Sequence, residues 1–203
     1  MKILHIDSSI LGDHSVSRQL SATAVAHLRA GHSDSMMVYR DVAADPIPHL
    51  SGGYLAALHS AESNRSPAAQ ADIALGSTVL DEFLAADVVV IGAGLYNFGM
   101  PSQLKAWIDR ILVAGKTFRY TAEGKAEGLV SGKRIILAIA RGGFYGGASP
   151  IATFEHTETH LRTAFGFIGL APDVVIAEGV ATGPDQRAAA IRDAEAAIAA
   201  LPR

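Results

Sequence analysis

Short apolar runs alternate along the chain with longer stretches in which apolar residues return every three or four positions. The runs are Lys2 to Ile6, Ser35 to Arg40, Asp87 to Ile91, Arg134 to Ile139 and Val174 to Ala177. The first, third and fourth show no strict polar–apolar alternation, as strands buried on both faces must read. Helical patterns cover Ser17 to Ala30, Pro67 to about Ala85, Ser102 to about Val113 and Ile151 to Phe165. A last one opens at Pro184, with Ile191, Ala194, Ile198 and Leu201 on one stripe. Gly31 is placed to end the first helix as a C′ residue, and Ser66-Pro67 reads as an N-cap followed by Pro at the first helical position. Strands alternating with helices predict an α/β fold, a doubly wound parallel sheet covered by helices on both faces. Five strands suit the order 2-1-3-4-5 better than a six-strand dinucleotide fold. Neither a repeat nor a linker interrupts the pattern, so residues 1–203 read as a single domain. Leu50 to Arg65 reads as an excursion over the sheet's carboxyl edge, and Thr117 to Gly132 as another that forms a small hairpin.

Composition narrows the function. The 203 residues are 49% apolar, enough for a sizeable core. Net charge is −3, with 17 scattered Lys and Arg, which argues against a nucleic-acid or polybasic membrane surface. There is no cysteine, so thiol nucleophiles, disulfides, iron–sulfur clusters and zinc knuckles are excluded. The opening MKILHIDSSI is too short an apolar run for a signal peptide, and no segment approaches a membrane span. These features point to a soluble, cytoplasmic protein.

An open parallel sheet binds ligands beyond the carboxyl ends of its strands, where the strand order reverses. Three loops meet there. After the first strand comes DSSILGDHSVSRQL, whose Ser9, Ser15 and Ser17 hydroxyls and Val16 N–H surround a helix start. Unpaired first-turn N–H groups and the helix dipole favour a phosphate, although serine is also an ordinary N-cap. After the third strand comes GAGLYNFGMPSQL, in which Leu95 and Tyr96 precede Asn97 and Phe98. Two rings beside an amide with two donors and an acceptor suit a flat ligand with a hydrogen-bonding edge, against the alternative that the rings are core. After the fourth strand comes ARGGFYGGASP: Ala140, Arg141, Gly142 and Gly143 let backbone N–H groups approach a ligand, with Arg141 placed to stabilise negative charge on it. No Walker A sequence, G-x-G-x-x-G fingerprint or G-x-S-x-G elbow occurs. His156 and His160 are four apart, but HTETH is not H-E-x-x-H and has no evident third ligand, so no metal site is expected.

The stretches SSILGDHSVS, RDVAADPIPHL, LYNFGMPSQLKAWID, AGKTFRYTAEGKAEGLVSGKR, RGG and FGFIGL…VVIAEG span nearly the whole chain. In that order they resemble the FMN-dependent NADH:quinone oxidoreductases, the azoreductases of flavodoxin-like fold. The resemblance implies bound FMN. Ser9, Ser15, Val16 and Ser17 would hold its phosphate; Leu95, Tyr96, Asn97 and Phe98 its isoalloxazine; Ala140, Arg141, Gly142 and Gly143 its pyrimidine side. It also implies two-electron ping-pong transfer from NADH through FMN to quinones or aromatic azo compounds, without a catalytic acid or base. A homodimer with sites at its interface is implied too, with Tyr120 and Phe167, and more weakly Phe118, as aromatic walls of the substrate pocket. Two departures are visible: Gly94-Leu95 stands where similar members usually carry Pro-Met, and Ala140 where they often carry Ser. Two other readings stay open on the sequence, a flavodoxin-like one-electron carrier and a flavin-free binding protein on the same fold.

Overall fold

The computed structural model describes residues 1–203. Strands β1 (Lys2–Asp7), β2 (Met36–Asp41), β3 (Val88–Gly94), β6 (Arg134–Arg141) and β7 (Asp173–Glu178) form one sheet in the order β2-β1-β3-β6-β7. Every pairing in it is parallel. Counted within the sheet, this is the predicted order 2-1-3-4-5. The remaining two strands, β4 (Phe118–Tyr120) and β5 (Ala126–Gly128), pair antiparallel as the predicted hairpin. The order reverses beside β1: the chain runs outward to β2, then crosses to β3 on the other side.

Helices α3 (Pro67–Ala85), α4 (Ser102–Ile111) and α5 (Thr157–Phe167) cover one face of the sheet, and α1 (Val16–Gly31) and α6 (Pro184–Ala199) the other. Each face has its own core. Leu4 and Ile6 join Phe83, Trp107 and Phe165 in a cluster of 24 buried residues. Ile3 joins Leu20, Leu28, Ala194 and Ile198 in a cluster of 15. The period-two alternation of side chains along β1 divides its apolar residues between the two. Gly92 in β3 lets α1 pack closely: a Cβ there would lie 2.6 Å from Asp7 Oδ1 and 2.9 Å from Ser17 O.

Several boundaries differ from the reading of the sequence. Helix α1 includes Gly31 and is capped by His32, so Gly31 does not act as a C′ residue. Helix α4 stops at Ile111, where Thr117 Oγ1 donates to Ile111 O and accepts from Val113 N–H. The stretch from Ile151 is a short 3-10 turn over Ala152–Phe154, and α5 begins only at Thr157. Glu155 explains that start, since its carboxylate accepts from the N–H groups of Thr157, Glu158 and Thr159. The excursion Leu50 to Arg65 contains helix α2 (Gly52–Leu58). It docks through Tyr54, whose ring lies 3.9 Å from the buried Arg110 guanidinium, itself bonded to Pro48 O and Asp72. As foreseen, Ser66 caps α3 by accepting from Ala69 N–H, with Pro67 in the first turn.

Candidate functional site

At the reversal of strand order the loops after β1, β3, β6 and β7 enclose a cleft of about 210 Å³. Its walls include Ser9, Ser15, Val16 and Ser17 from the first loop, Leu95 and Tyr96 from the second, and Ala140 and Gly142 from the third. Eight of the twelve residues read as a cofactor site therefore share one cavity.

The first loop is both cap and cradle. Ser15 Oγ accepts from Arg18 N–H at 3.3 Å and lies 3.1 Å from Ser17 Oγ. Of the first-turn N–H groups of α1, that of Arg18 is taken by Ser15, while Val16 and Ser17, whose N–H groups have no partner within the helix, line the cleft; such a helix start suits an anion. Ser9 Oγ is 2.7 Å from Tyr96 Oη, a hydrogen bond that ties the first loop to the second. Arg18 holds the loop from behind: Nε and Nη2 donate to Ser9 O at 3.0 and 2.7 Å, while Nη1 and Nη2 donate to Asp41 at 2.6 and 2.8 Å. That bidentate hydrogen bonding keeps the Asp41 carboxyl below its ordinary range and raises the Arg18 guanidinium. Deeper, Ser21 Oγ donates to Asp7 Oδ1 and lies 2.9 Å from His5 Nε2. Tyr39 donates to Asp7 Oδ2; its phenol is pushed up to about 12, by burial first and then by the charge of Asp7.

The Tyr-Asn-Phe segment is a tight turn. Tyr96 N–H donates to Gly99 O at 2.8 Å and Gly99 N–H to Tyr96 O at 3.0 Å. Asn97 and Phe98 between them have φ of 47° and 72°, the left-handed region. Asn tolerates it; a Phe there is strained by about 1 kcal/mol or more. Backbone strain of this kind concentrates at functional sites. The two residues stand outside the cleft wall, adjoining Tyr96. Phe98 is 48% exposed and packs edge-on against Phe154, with ring centroids 5.5 Å apart.

Arg141 departs from its expected role. Its side chain turns away from the cleft and is 3% exposed, bonded to Glu178 at 2.6 Å and Glu158 at 2.5 Å, with Glu155 at 3.5 Å. A guanidinium so committed cannot face a ligand; it anchors the loop instead. Glu178 also accepts from Tyr145 N–H. The backbone of the loop is fixed by β7's extension, with Gly179 N–H donating to Gly143 O, Val180 N–H to Arg141 O and Ala181 N–H to Gly142 O.

Phe118, Tyr120 and Phe167 are brought together, but not into this cleft. Phe118 lies 4.7 Å from Phe167 and 5.7 Å from Tyr120, centroid to centroid, and Tyr120 is 64% exposed. Phe167 borders a larger cavity, about 540 Å³, on the α4–α5 face with Leu112, His156 and His160. Burial and the nearby charge of Lys105 lower the His160 imidazole below its ordinary value. That cavity is larger than the cleft, yet the cleft holds the helix start and the glycine backbone at the strand-order reversal. Leu11, His14, Val180, Ala181 and Arg187 also line the cleft and were not singled out from the sequence. The last three follow β7, whose loop lies one strand beyond the three loops considered; its own signal is the Gly179-to-Pro184 stretch, with Gly179 at φ 73°.

A family model described as flavodoxin-like fold matches residues 1–201. An FMN-dependent NADH:quinone oxidoreductase of Xanthomonas campestris pv. campestris is 60% identical over 203 residues, covering 100% of both chains. One from Methylorubrum populi is 58% identical over 202 residues, 99% of this chain and 98% of that protein. Among solved structures, an FMN-dependent NADH-azoreductase from Bacillus anthracis in complex with FMN superposes with a TM-score of 0.85 at 26% identity, covering 97% of each chain. The azoreductase of Bacillus anthracis str. Sterne gives 0.86 at 28% identity, over 99% of this chain and 100% of that one. The fold and its cleft thus define a flavodoxin-like protein. Within that fold, the chain belongs to the family of FMN-dependent NADH:quinone oxidoreductases.

Proposed function

We propose that this chain is an FMN-dependent NADH:quinone oxidoreductase with azoreductase activity. The observation that carries this reading is the convergence on one cleft of the serine-lined start of α1, the Leu95-Tyr96 wall and the glycine loop after β6. The donor set fits FMN. Ser15, Ser17 and the first-turn N–H groups suit a phosphate, and Gly142 lines the cleft without a Cβ, which leaves its backbone open to a ligand edge. When bound, FMN supplies the two-electron chemistry between NADH and a quinone or azo acceptor.

The protein's part is binding, orientation and exclusion of water. Ser9 joins the phosphate loop to Tyr96, so the two ends of the ligand are held in register. The paired Tyr96–Gly99 hydrogen bonds hold Asn97 and Phe98 in their turn next to Tyr96. Gly142 lines the site, and the loop that carries it is anchored by the buried Arg141. We assign no side chain as acid or base; solvent provides protons. Donor and acceptor take turns at the same face, which is ping-pong kinetics. Residues 1–203 act as one domain, since both core clusters share one sheet. We further propose a homodimer in which the exposed Tyr120, with Phe118 and Phe167 behind it, walls the partner's substrate pocket. No helix is long and apolar enough to cross a membrane; we propose a cytoplasmic location, a reading that NADH as the electron donor supports.

The test is initial-rate kinetics with FMN-loaded protein. NADH varied at several fixed quinone concentrations should give parallel double-reciprocal lines. Absence of turnover at saturating FMN with any quinone or azo dye would contradict the proposal.

A further inference from the structure

Three arginines belong to the segments that build the cleft, and their charges are spent differently. Arg18 is bound to Asp41 and to Ser9 O. Arg141 is buried against three carboxylates. Arg187, in the first turn of α6, lines the cleft together with His14, Ser15 and Ser17. No carboxylate lies within salt-bridge distance of it; Nη2 donates only to His14 O, at 3.1 Å. A cation held over a cleft by one neutral carbonyl keeps its charge for a ligand, and a forked guanidinium retains N–H donors beyond the one in use.

Resting on the FMN reading of this cleft, we infer that Arg187 is a phosphate-binding residue that makes the site discriminate FMN from riboflavin. The serines and helix N–H groups would supply dipoles to the phosphate; Arg187, from a different helix, would supply full charge. His14 positions it, since the His14 carbonyl orients the guanidinium. The residue thus selects for the phosphate monoester and contributes nothing to the ring.

The experiment measures flavin affinity of apoprotein by fluorescence quenching, with FMN and riboflavin, for wild type, Arg187→Gln and Arg187→Lys. Arg187→Gln should weaken FMN binding about tenfold, the scale of one charge-assisted contact at a partly exposed site, and leave riboflavin unchanged. Arg187→Lys should retain most of the FMN preference. Added salt should weaken FMN binding more steeply in wild type than in Arg187→Gln, because one ionic contact has been lost. This slope reads the charge independently of the absolute affinity. Equal loss of both flavins in Arg187→Gln, or an unchanged preference for FMN, would overturn the role of Arg187 alone. Wild-type apoprotein that binds neither flavin would overturn the FMN reading itself, a separate result.

Discussion

Replacing Arg141 by Met separates a structural cation from a ligand-binding one. The guanidinium is 3% exposed and holds Glu158 at 2.5 Å and Glu178 at 2.6 Å, with Glu155 at 3.5 Å. Removing one partner of a buried ion pair costs roughly 3–5 kcal/mol, chiefly because a charge is left buried and unpaired. Here the loss is tempered. Glu158 keeps Arg162 at 2.7 Å, Glu155 keeps its backbone N–H partners, and the Glu158 and Glu178 side chains are 21% and 23% exposed. The expected loss is therefore at the low end, about 3 kcal/mol. Urea unfolding read by circular dichroism measures it as a shift in midpoint at unchanged slope. Adding Glu178→Gln to Arg141→Met should recover about 1 kcal/mol, because the second change removes a carboxylate that the first left unpaired. A loss under about 1 kcal/mol, or a double variant no more stable than the single one, would refute the view that this arginine anchors the glycine loop.

Phe98→Gly removes the strain of φ 72° and should leave urea stability equal or up to about 1 kcal/mol higher while the quinone KM rises; a clear loss of stability would argue that the ring is core. Gly92→Ala places a Cβ 2.6 Å from Asp7 Oδ1 and should lower stability by about 1–3 kcal/mol, seen as a fall in melting temperature. Asp41 is held below the usual 3.8 by its hydrogen bonds to Arg18. Its stabilisation is therefore present above the unfolded value and lost as pH falls through the lower folded one. Asp41→Asn should be less stable than wild type at neutral pH, with the gap closing in acid; a gap independent of pH would contradict the pairing.

The fold was largely legible because its strong signals are local. The Val and Ile run of β3 is buried on both faces at every position, and Ser66-Pro67 starts a helix by chemistry that needs no tertiary contact. The element ends misplaced were those set by a side chain bonding back to nearby backbone, which the apolar pattern does not record. Glu155, which settles where α5 begins, does so through a side chain folded back on the backbone. The serine, tyrosine and glycine residues of the site could be nominated because fold order alone brings their three loops together. R-G-G reads as a ligand loop because the carboxylate partners of Arg141 come from the turn before α5, from α5 and from β7, 14 to 37 residues away, and nothing in those three residues announces them. Arg187 and His14 went unseen for the same reason, since their contact spans 173 residues.

The most direct test of the whole account is an anaerobic titration of the purified, FMN-loaded protein with NADH, followed by quinone, read by visible absorption. The account predicts that NADH bleaches the flavin bands and that one equivalent of quinone restores them, through the same site and without a second protein. A protein that binds no FMN, or one whose flavin NADH leaves unbleached, would contradict it.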